Sequence, residues 1–562
     1  MATRPDPDRL LHTAIGRVTG GISPAALATA WIDWILHLQG SPVRQMELAR
    51  HAWANALEAA ALANLAASGA DIAPAHESAD TRFASEGWAH PPFNLLSRWF
   101  LLNQDWWEHA TAPQDGLDPA HQRIVSFAMR QMLDMVSPTN FPATNPDVLS
   151  RTRDEAGQNV IRGVQNWLED FNQVVTGDRK PDGEYRVGET IAIAPGEVVF
   201  RNRLIELIRY TPTTPRVRAE PVLIVPAWIM KYYILDLSPD NSLIAWLRDQ
   251  GFEVFAISWK NPDRDDADLA LADYLSLGIG AALDKIAPEE DRRVHAVGYC
   301  LGGTLLAAQA AAMARDGDER FATVSLLAAQ VDFSEPGELS LFINESQVAF
   351  LEDIMESQGY LRADQMAGAF RMLRSADLIW SRVIRHYLMG ERTPMNDLMA
   401  WNTDATRMPA KMHSEYLRQM FLENRLATGR FRVGGEPVAL TDIRVPVFCL
   451  GTEADHVSPW QSVYKFHLLA DTDVTFCLTS GGHNGGVLSE PGHPGRHYRI
   501  TERRETQKYT DPETWLERGK EKDGSWWPAW CDWLDARSTG TRPARKKRGR
   551  SLGPAPGNYV FG

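Results

Sequence analysis

The residues with the clearest chemical potential lie in Val297-Gly298-Tyr299-Cys300-Leu301-Gly302-Gly303. An apolar, β-branched run, Arg293–Val297, precedes them, and an alanine-rich stretch, Leu301–Ala314, follows. This pattern is the G-x-S-x-G turn of a nucleophile elbow with cysteine in the serine position. The turn from strand to helix is tight, and side chains at Gly298 and Gly302 would crowd it. Cys300 is thereby pushed out at the C-terminal edge of a sheet. The following helix N-terminus supplies positive potential that favours a thiolate, and the Leu301 backbone N–H is placed to face a developing oxyanion. The other three cysteines have no such setting. Cys449 and Cys477 sit in apolar strands and Cys531 in a tryptophan-rich helix, so they read as small buried hydrophobes.

A thiol nucleophile needs a base and a group that orients the base. In folds built around such an elbow the chain order is nucleophile, acid, histidine. FCLGTEADHVSPW (448–460) runs from a strand into a loop with Asp455, and VTFCLTSGGHNGG (474–486) does the same with His483. The predicted constellation is therefore Cys300, Asp455 and His483. Glu453 is the rival acid. His456 is either a loop histidine with a local hydrogen bond or a residue supporting Asp455 from behind. No paired Cys/His spacing suggests a metal, and no cofactor is expected. Cysteine instead of serine shifts the expected chemistry. A thioester substrate exchanges onto a thiol at nearly neutral free energy, and onward transfer to a hydroxyl is downhill. Acyl transfer to an alcohol follows, and a polyester results if that alcohol is another hydroxyacyl unit. Water must then be kept out.

These residues need a scaffold. Strand-like segments at 198–210, 221–226, 252–259, 294–299, 324–328, 446–450 and 474–478 alternate with helical stretches at 242–250, 268–286 and 301–315. That alternation predicts an α/β fold with a mostly parallel sheet and crossover helices. Between 333 and 440 the alternation stops, and a helical insertion rich in Met, Trp and other aromatics reads as a cap over Cys300. Residues 1–190 read as a helical N-terminal domain, with helices over 24–67, 118–135 and 147–175; Trp31, Trp34, Ile35 and Leu38 share one face. Residues 191–538 form the catalytic domain. The tail, 539–562, is Pro/Gly-rich with RKKRGR at 545–550 and reads as flexible and solvated. Trp526, Trp530 and Trp533 fall at helical spacing and read as a core face.

Composition narrows the function classes. The 562 residues are 44% hydrophobic and 23% charged, as in a globular protein, which excludes a disordered or fibrous chain. A net charge of −14 disfavours nucleic acid as partner, so an anionic substrate must meet a local basic patch. Lys231, Arg248 and Lys260 are unranked candidates. Four cysteines suit a reducing compartment. No secretory signal and no transmembrane segment is expected.

The chain also resembles the polyhydroxyalkanoate (PHA) synthases, most like the class I type. The resemblance runs from about Arg82 to the C-terminus. It is carried by RFASEGW (82–88), SPTNFPATNP (137–146), VPAWIMKYYILDLSPDNSL (225–243), GYCLGGT (298–304), ADLIWS (376–381), WNTDATRMP (401–409), ADHVSPW (454–460) and GSWWPAW (524–530). Simple esterases share only the elbow and triad. The resemblance implies an α/β-hydrolase fold and polymerisation of short-chain (R)-3-hydroxyacyl-CoA, with release of CoA and a polyester chain held on Cys300. It implies His483 as the base for the thiol and Asp455 as the acid, often assigned to activating the substrate 3-hydroxyl. It also implies a homodimer on PHA granules in the cytoplasm. Ala227 replaces a usual proline, the text around His483 departs from the common one, and the first 80 residues match loosely. An esterase or PHA depolymerase of the same fold is the alternative. A non-catalytic granule or scaffold protein is a second, favoured only if many tryptophans are exposed.

Overall fold

The computed structural model describes residues 7–19, 21–68, 80–176, 184–288, 292–373, 375, 379–544 and 551–562. The chain forms two compact units. The first comprises Met1–Val18, Pro181–Met366 and Met395–Gly562; the second comprises Thr19–Lys180 and Ala367–Pro394.

The first unit is built on a ten-stranded sheet. Its strands are β1 (Gly196–Arg201), β2 (Ile205–Tyr210), β3 (Val222–Val225), β4 (Val254–Trp259), β5 (Val294–Tyr299), β6 (Phe321–Leu327), β7 (Val447–Thr452), β8 (Val474–Thr479), β9 (His497–Arg503) and β10 (Glu521–Asp523). Their order is β1-β2-β4-β3-β5-β6-β7-β8-β9-β10. The run from β4 to β8 is parallel, and antiparallel strands flank it on both sides. After β4 the chain crosses to the other side of β3 to make β5. Strand order reverses there, which opens a crevice at the carboxyl ends of β3 and β5 where ligands of α/β sheets bind. Cys300 follows β5 directly.

Side chains alternate between the two faces of each strand. Leu223 and Val225 enter one buried cluster with the helix Leu301–Asp316, while Val222 and Ile224 enter a second with Trp526, Trp527, Trp530 and Trp533. Both faces are covered, so these strands are apolar throughout. The tryptophans of GSWWPAW are indeed a core face, with Trp526 and Trp530 fully buried.

Several readings from the sequence differ from the structure. The helix Pro7–Thr19 belongs to the first unit, where the His12 imidazole meets the Asp353 carboxylate at 2.7 Å. The middle of the expected cap, Ala367–Pro394, belongs to the helical second unit; there Asn159 Nδ2 donates to the Leu388 carbonyl at 2.9 Å and Asp170 pairs with Arg382 and Arg392. Periodicity predicts an apolar face but not what the face meets. The tail is packed where it is described. Thr541–Pro543 pairs with Arg216–Arg218, and residues 552–555 bond to Gly196 and Val198 of β1. An open edge strand has unpaired N–H and C=O groups, and this strap takes them up. The basic run 545–550 lies outside the described residues. Within the second unit, Trp34 is buried and Trp31 and Leu38 pack beside it, but Ile35 is 40% exposed. No helix of the described residues is long and apolar enough to cross a membrane.

Candidate active site

Cys300 has φ 52° and ψ −125°, a left-handed conformation that non-glycine residues rarely adopt. Its neighbours explain how the strain is held. A Cβ on Gly302 would stand 2.1 Å from the Val225 carbonyl, and one on Gly298 would stand 2.4 Å from Gly303 Cα. The elbow thus packs backbone against backbone with no room for side chains. Cys300 N–H donates to Leu327 O, and its own carbonyl accepts from Gly303 and Thr304. Leu301 is the first residue of the helix Leu301–Asp316. Its N–H has no acceptor within that helix, as for any first-turn amide, and is available to an oxyanion.

His483 sits in the turn after β8, and its Nδ1 lies 2.8 Å from Asp455 Oδ2. Asp455 follows β7, and its carboxylate is fully buried. It also accepts from Thr452 Oγ1 (3.1 Å), Val457 N–H (2.9 Å) and Ser458 N–H (2.8 Å). Burial alone would raise the carboxyl; the charge and hydrogen bond of His483 and the two amides outweigh it and hold Asp455 below its ordinary range. Burial would likewise lower the imidazole. The Asp455 charge, and the charge and hydrogen bond of Cys300, hold His483 well above its ordinary range instead. A thiol, an imidazole and a buried carboxylate in this sequence of contacts can share one mobile proton. Cys300, Asp455 and His483 are therefore brought together.

The rival acid points elsewhere: Glu453 pairs with His497 (3.1 Å) and Arg499 (3.0 Å). His456 forms no side-chain hydrogen bond among the described residues; it contributes its carbonyl, which accepts from Glu338 N–H at 3.0 Å. All four cysteines are free thiols. Burial pushes Cys531 up to about 11 and raises Cys449 and Cys477 as well.

Comparison with known proteins places this chain in a family. Models for the poly-beta-hydroxybutyrate polymerase N-terminus match residues 2–44 and 79–247, and the alpha/beta hydrolase family model matches 222–494. The poly(3-hydroxyalkanoate) polymerase of Methylorubrum extorquens is 41% identical over 490 residues, covering 86% of this chain and 80% of that protein. The polymerase subunit of Rhizobium meliloti is 40% identical over 489 residues, with 86% and 79% covered. That of Cupriavidus necator is 34% identical over 496 residues, with 86% and 83% covered. The chain belongs to the poly(3-hydroxyalkanoate) polymerase family. It is an enzyme, a transferase with an α/β-hydrolase fold.

Several contacts around this polymerase site are not evident from the sequence. Tyr299 Oη donates to Asn484 Oδ1 at 2.5 Å, and its ring lies 5.7 Å from that of His483. Trp526 and Trp527 indoles donate to the carbonyls of Gly486 and Val487, pinning the turn that carries His483. Trp228, Phe333, Tyr416 and Phe421 form a chain of ring contacts, with Tyr416 close enough for its hydroxyl to feel the charge of Cys300, beyond the main effect of burial, which raises it. The spacing of GSWWPAW identified a core face, but not which backbone its indoles would reach. The three candidate cations for CoA are all engaged. Lys231 is buried and donates to Gly562 O at 2.7 Å. Arg248 donates to Thr211 O at 2.7 Å, and Lys260 pairs with Asp266 at 2.6 Å.

Proposed function

We propose that this polymerase takes short-chain (R)-3-hydroxyacyl-CoA, such as 3-hydroxybutyryl-CoA, and extends a polyester through a thioester on Cys300. The observation that carries this reading is the strained elbow thiol beside the His483–Asp455 pair. His483 accepts the thiol proton, and the thiolate attacks the acyl carbonyl. The Leu301 N–H stabilises the oxyanion. Collapse breaks the C–S bond to CoA, and the imidazolium protonates the departing thiolate. A 3-hydroxyl then attacks the enzyme thioester, giving its proton to His483, and a new ester bond replaces the C–S bond to Cys300. Asp455 has its lone pairs occupied by His483, Thr452 and two amides, which supports an orienting role and leaves the hydroxyl proton to His483. The aromatic residues beside Cys300 support exclusion of water, without which the thioester would hydrolyse. Association with granules in the cytoplasm and work as a homodimer complete the reading, as the family resemblance implies.

The test is the purified protein with C4 and longer hydroxyacyl-CoAs, following CoA release and polymer together. Polymer with matching CoA release is expected, fastest with C4. Free hydroxy acid without polymer would sink the synthase reading. Cys300→Ser should lower the polymerisation rate severely, because an alkoxide is far harder to generate than a thiolate; a near-normal rate would contradict the nucleophile assignment.

A further inference from the structure

The helical second unit carries a cluster of side chains that the acyl chemistry does not use. Two of its helices, Pro42–Ala67 and Phe93–Ala110, lie side by side. His51 projects from the first, and Asp105 and His109 from one face of the second, four residues apart. His51 Nε2 lies 2.5 Å from Asp105 Oδ2, and His109 Nδ1 lies 3.4 Å from Asp105 Oδ1. The two imidazole rings are 4.2 Å apart, and one ligand atom from each of the three residues falls within 4.8 Å of the others.

The helix register that brings them together is held on both sides. Trp106 Nε1 donates to Leu48 O at 3.1 Å, and Asn55 Nδ2 donates to Leu102 O at 2.8 Å. Leu48 and Asn55 bracket His51; Leu102 and Trp106 bracket Asp105. Arg44 donates to the His109 carbonyl. The backbone positions are thus fixed, while the side chains of His51, Asp105 and His109 are 27%, 46% and 52% exposed and free to adjust.

From this geometry we propose that His51, Asp105 and His109 form a binding site for a divalent transition metal, zinc or a neighbour of it. Zinc–ligand distances of about 2.0–2.2 Å in a tetrahedron put ligand atoms roughly 3.4 Å apart, so side-chain rotation of about 1 Å converts the hydrogen-bonded cluster into a coordination shell. The ion takes the His51 Nε2 lone pair at the position facing Asp105 Oδ2, and the neutral ring carries its proton on Nδ1. His109 Nδ1 gives up its 2.9 Å contact to the Asp105 carbonyl. Water completes the coordination. Two imidazoles among three ligands select a borderline metal over magnesium or calcium. The bound ion cross-links the two helices.

The experiment uses the full chain in a Cys300→Ala background, so that the elbow thiol does not compete, after treatment with a chelator. Calorimetric titration with zinc chloride should show one equivalent bound per chain. Asp105→Asn and His51→Gln should each weaken binding by at least ~10-fold, since loss of a ligand costs no less than loss of its outer partner. His109→Ala, at the most exposed of the three positions, should do the same while leaving the helical circular dichroism of the protein unchanged. Zinc should raise the thermal unfolding temperature of the parent and not that of His109→Ala. No zinc binding by the parent, or equal zinc affinity in parent and His109→Ala, overturns the proposal.

Discussion

Cys300 and His483 owe their relation to contacts beyond the triad itself. Asn484 is next to His483 in the chain, and its side chain accepts from Tyr299, the residue before Cys300. One hydrogen bond therefore ties the histidine turn to the elbow. A neutral hydrogen bond contributes about 1 kcal/mol. Asn484→Leu and Tyr299→Phe should each lower kcat by about 5-fold with little change in KM. The double variant should be no slower than the slower single, because both remove the same bond. Steady-state kinetics of the four proteins checks this; a double variant slower by the product of the two single effects means that the residues act separately. The placement of Cys300, Asp455 and His483 was legible in sequence because each follows a strand end in the expected order. The Tyr299–Asn484 bond was not, since nothing in the spacing of 299 and 484 says that two polar tips meet. The exclusion of Glu453 as orienting acid likewise rests on its pairing with His497 and Arg499.

At the scale of elements, the elbow works because β3, β5 and the helix Leu301–Asp316 approach at backbone distance. A Cβ on Gly302 would meet the Val225 and Pro226 carbonyls at 2.1 and 2.6 Å. Gly302→Ala must push the helix N-terminus, and the Leu301 N–H with it, away from the reacting carbonyl. A displacement of this kind costs on the order of 100-fold in kcat. Rates of CoA release by this variant, with circular dichroism to confirm the fold, check the expectation; an active enzyme with normal kcat contradicts it. Element boundaries were partly legible. The strand Val294–Tyr299 and the helix ending at Met135 fall where the sequence puts them. The stretch 147–175, read as one helix, is two, Pro146–Asp154 and Gln158–Thr176, broken where Ala156 and Gly157 take positive φ. Gly157 was the available signal. The Trp527–Asp535 helix shows the limit of periodicity: its apolar face is in the sequence, but its hold on the His483 turn is a matter of which loop lies beneath the indoles.

For the whole molecule, burial sets the response to acid. His295 is buried between Thr323 and Ser538, and burial lowers it to about 4. Burial lowers His413 to about 4 and His467 to about 3. An unfolded histidine titrates near 6.5. Between that value and the folded ones the unfolded chain binds more protons, so stability falls as pH falls through this window. Each such group contributes a loss on the order of 3 kcal/mol when the window is crossed. Thermal unfolding followed from pH 7 to pH 4 should show a steadily falling midpoint that begins near 6.5. His295→Asn should make the fall shallower, and a midpoint constant down to pH 4 contradicts the reading. The buried tryptophans argue at the same scale. Trp53, Trp99 and Trp167 are exposed, whereas those of the sheet core are not, so the aromatic content serves packing more than display.

The sequence by itself determined the elbow, the order of Cys300, Asp455 and His483 at successive strand ends, and the α/β alternation that presents them. These depend on short-range sterics: glycines where a turn admits no Cβ, and apolar runs where strands are covered on both faces. Tertiary structure decided what those residues touch. It consumed Lys231, Arg248 and Lys260 in internal contacts, packed the described parts of the tail on β1 and along Arg216–Arg218, divided the cap between two units, and joined His51 to Asp105 and His109. Apart from the local Lys260–Asp266 pair, each of these joins groups far apart in the chain. Their meeting depends on how whole faces pack, which no local pattern of residue types records.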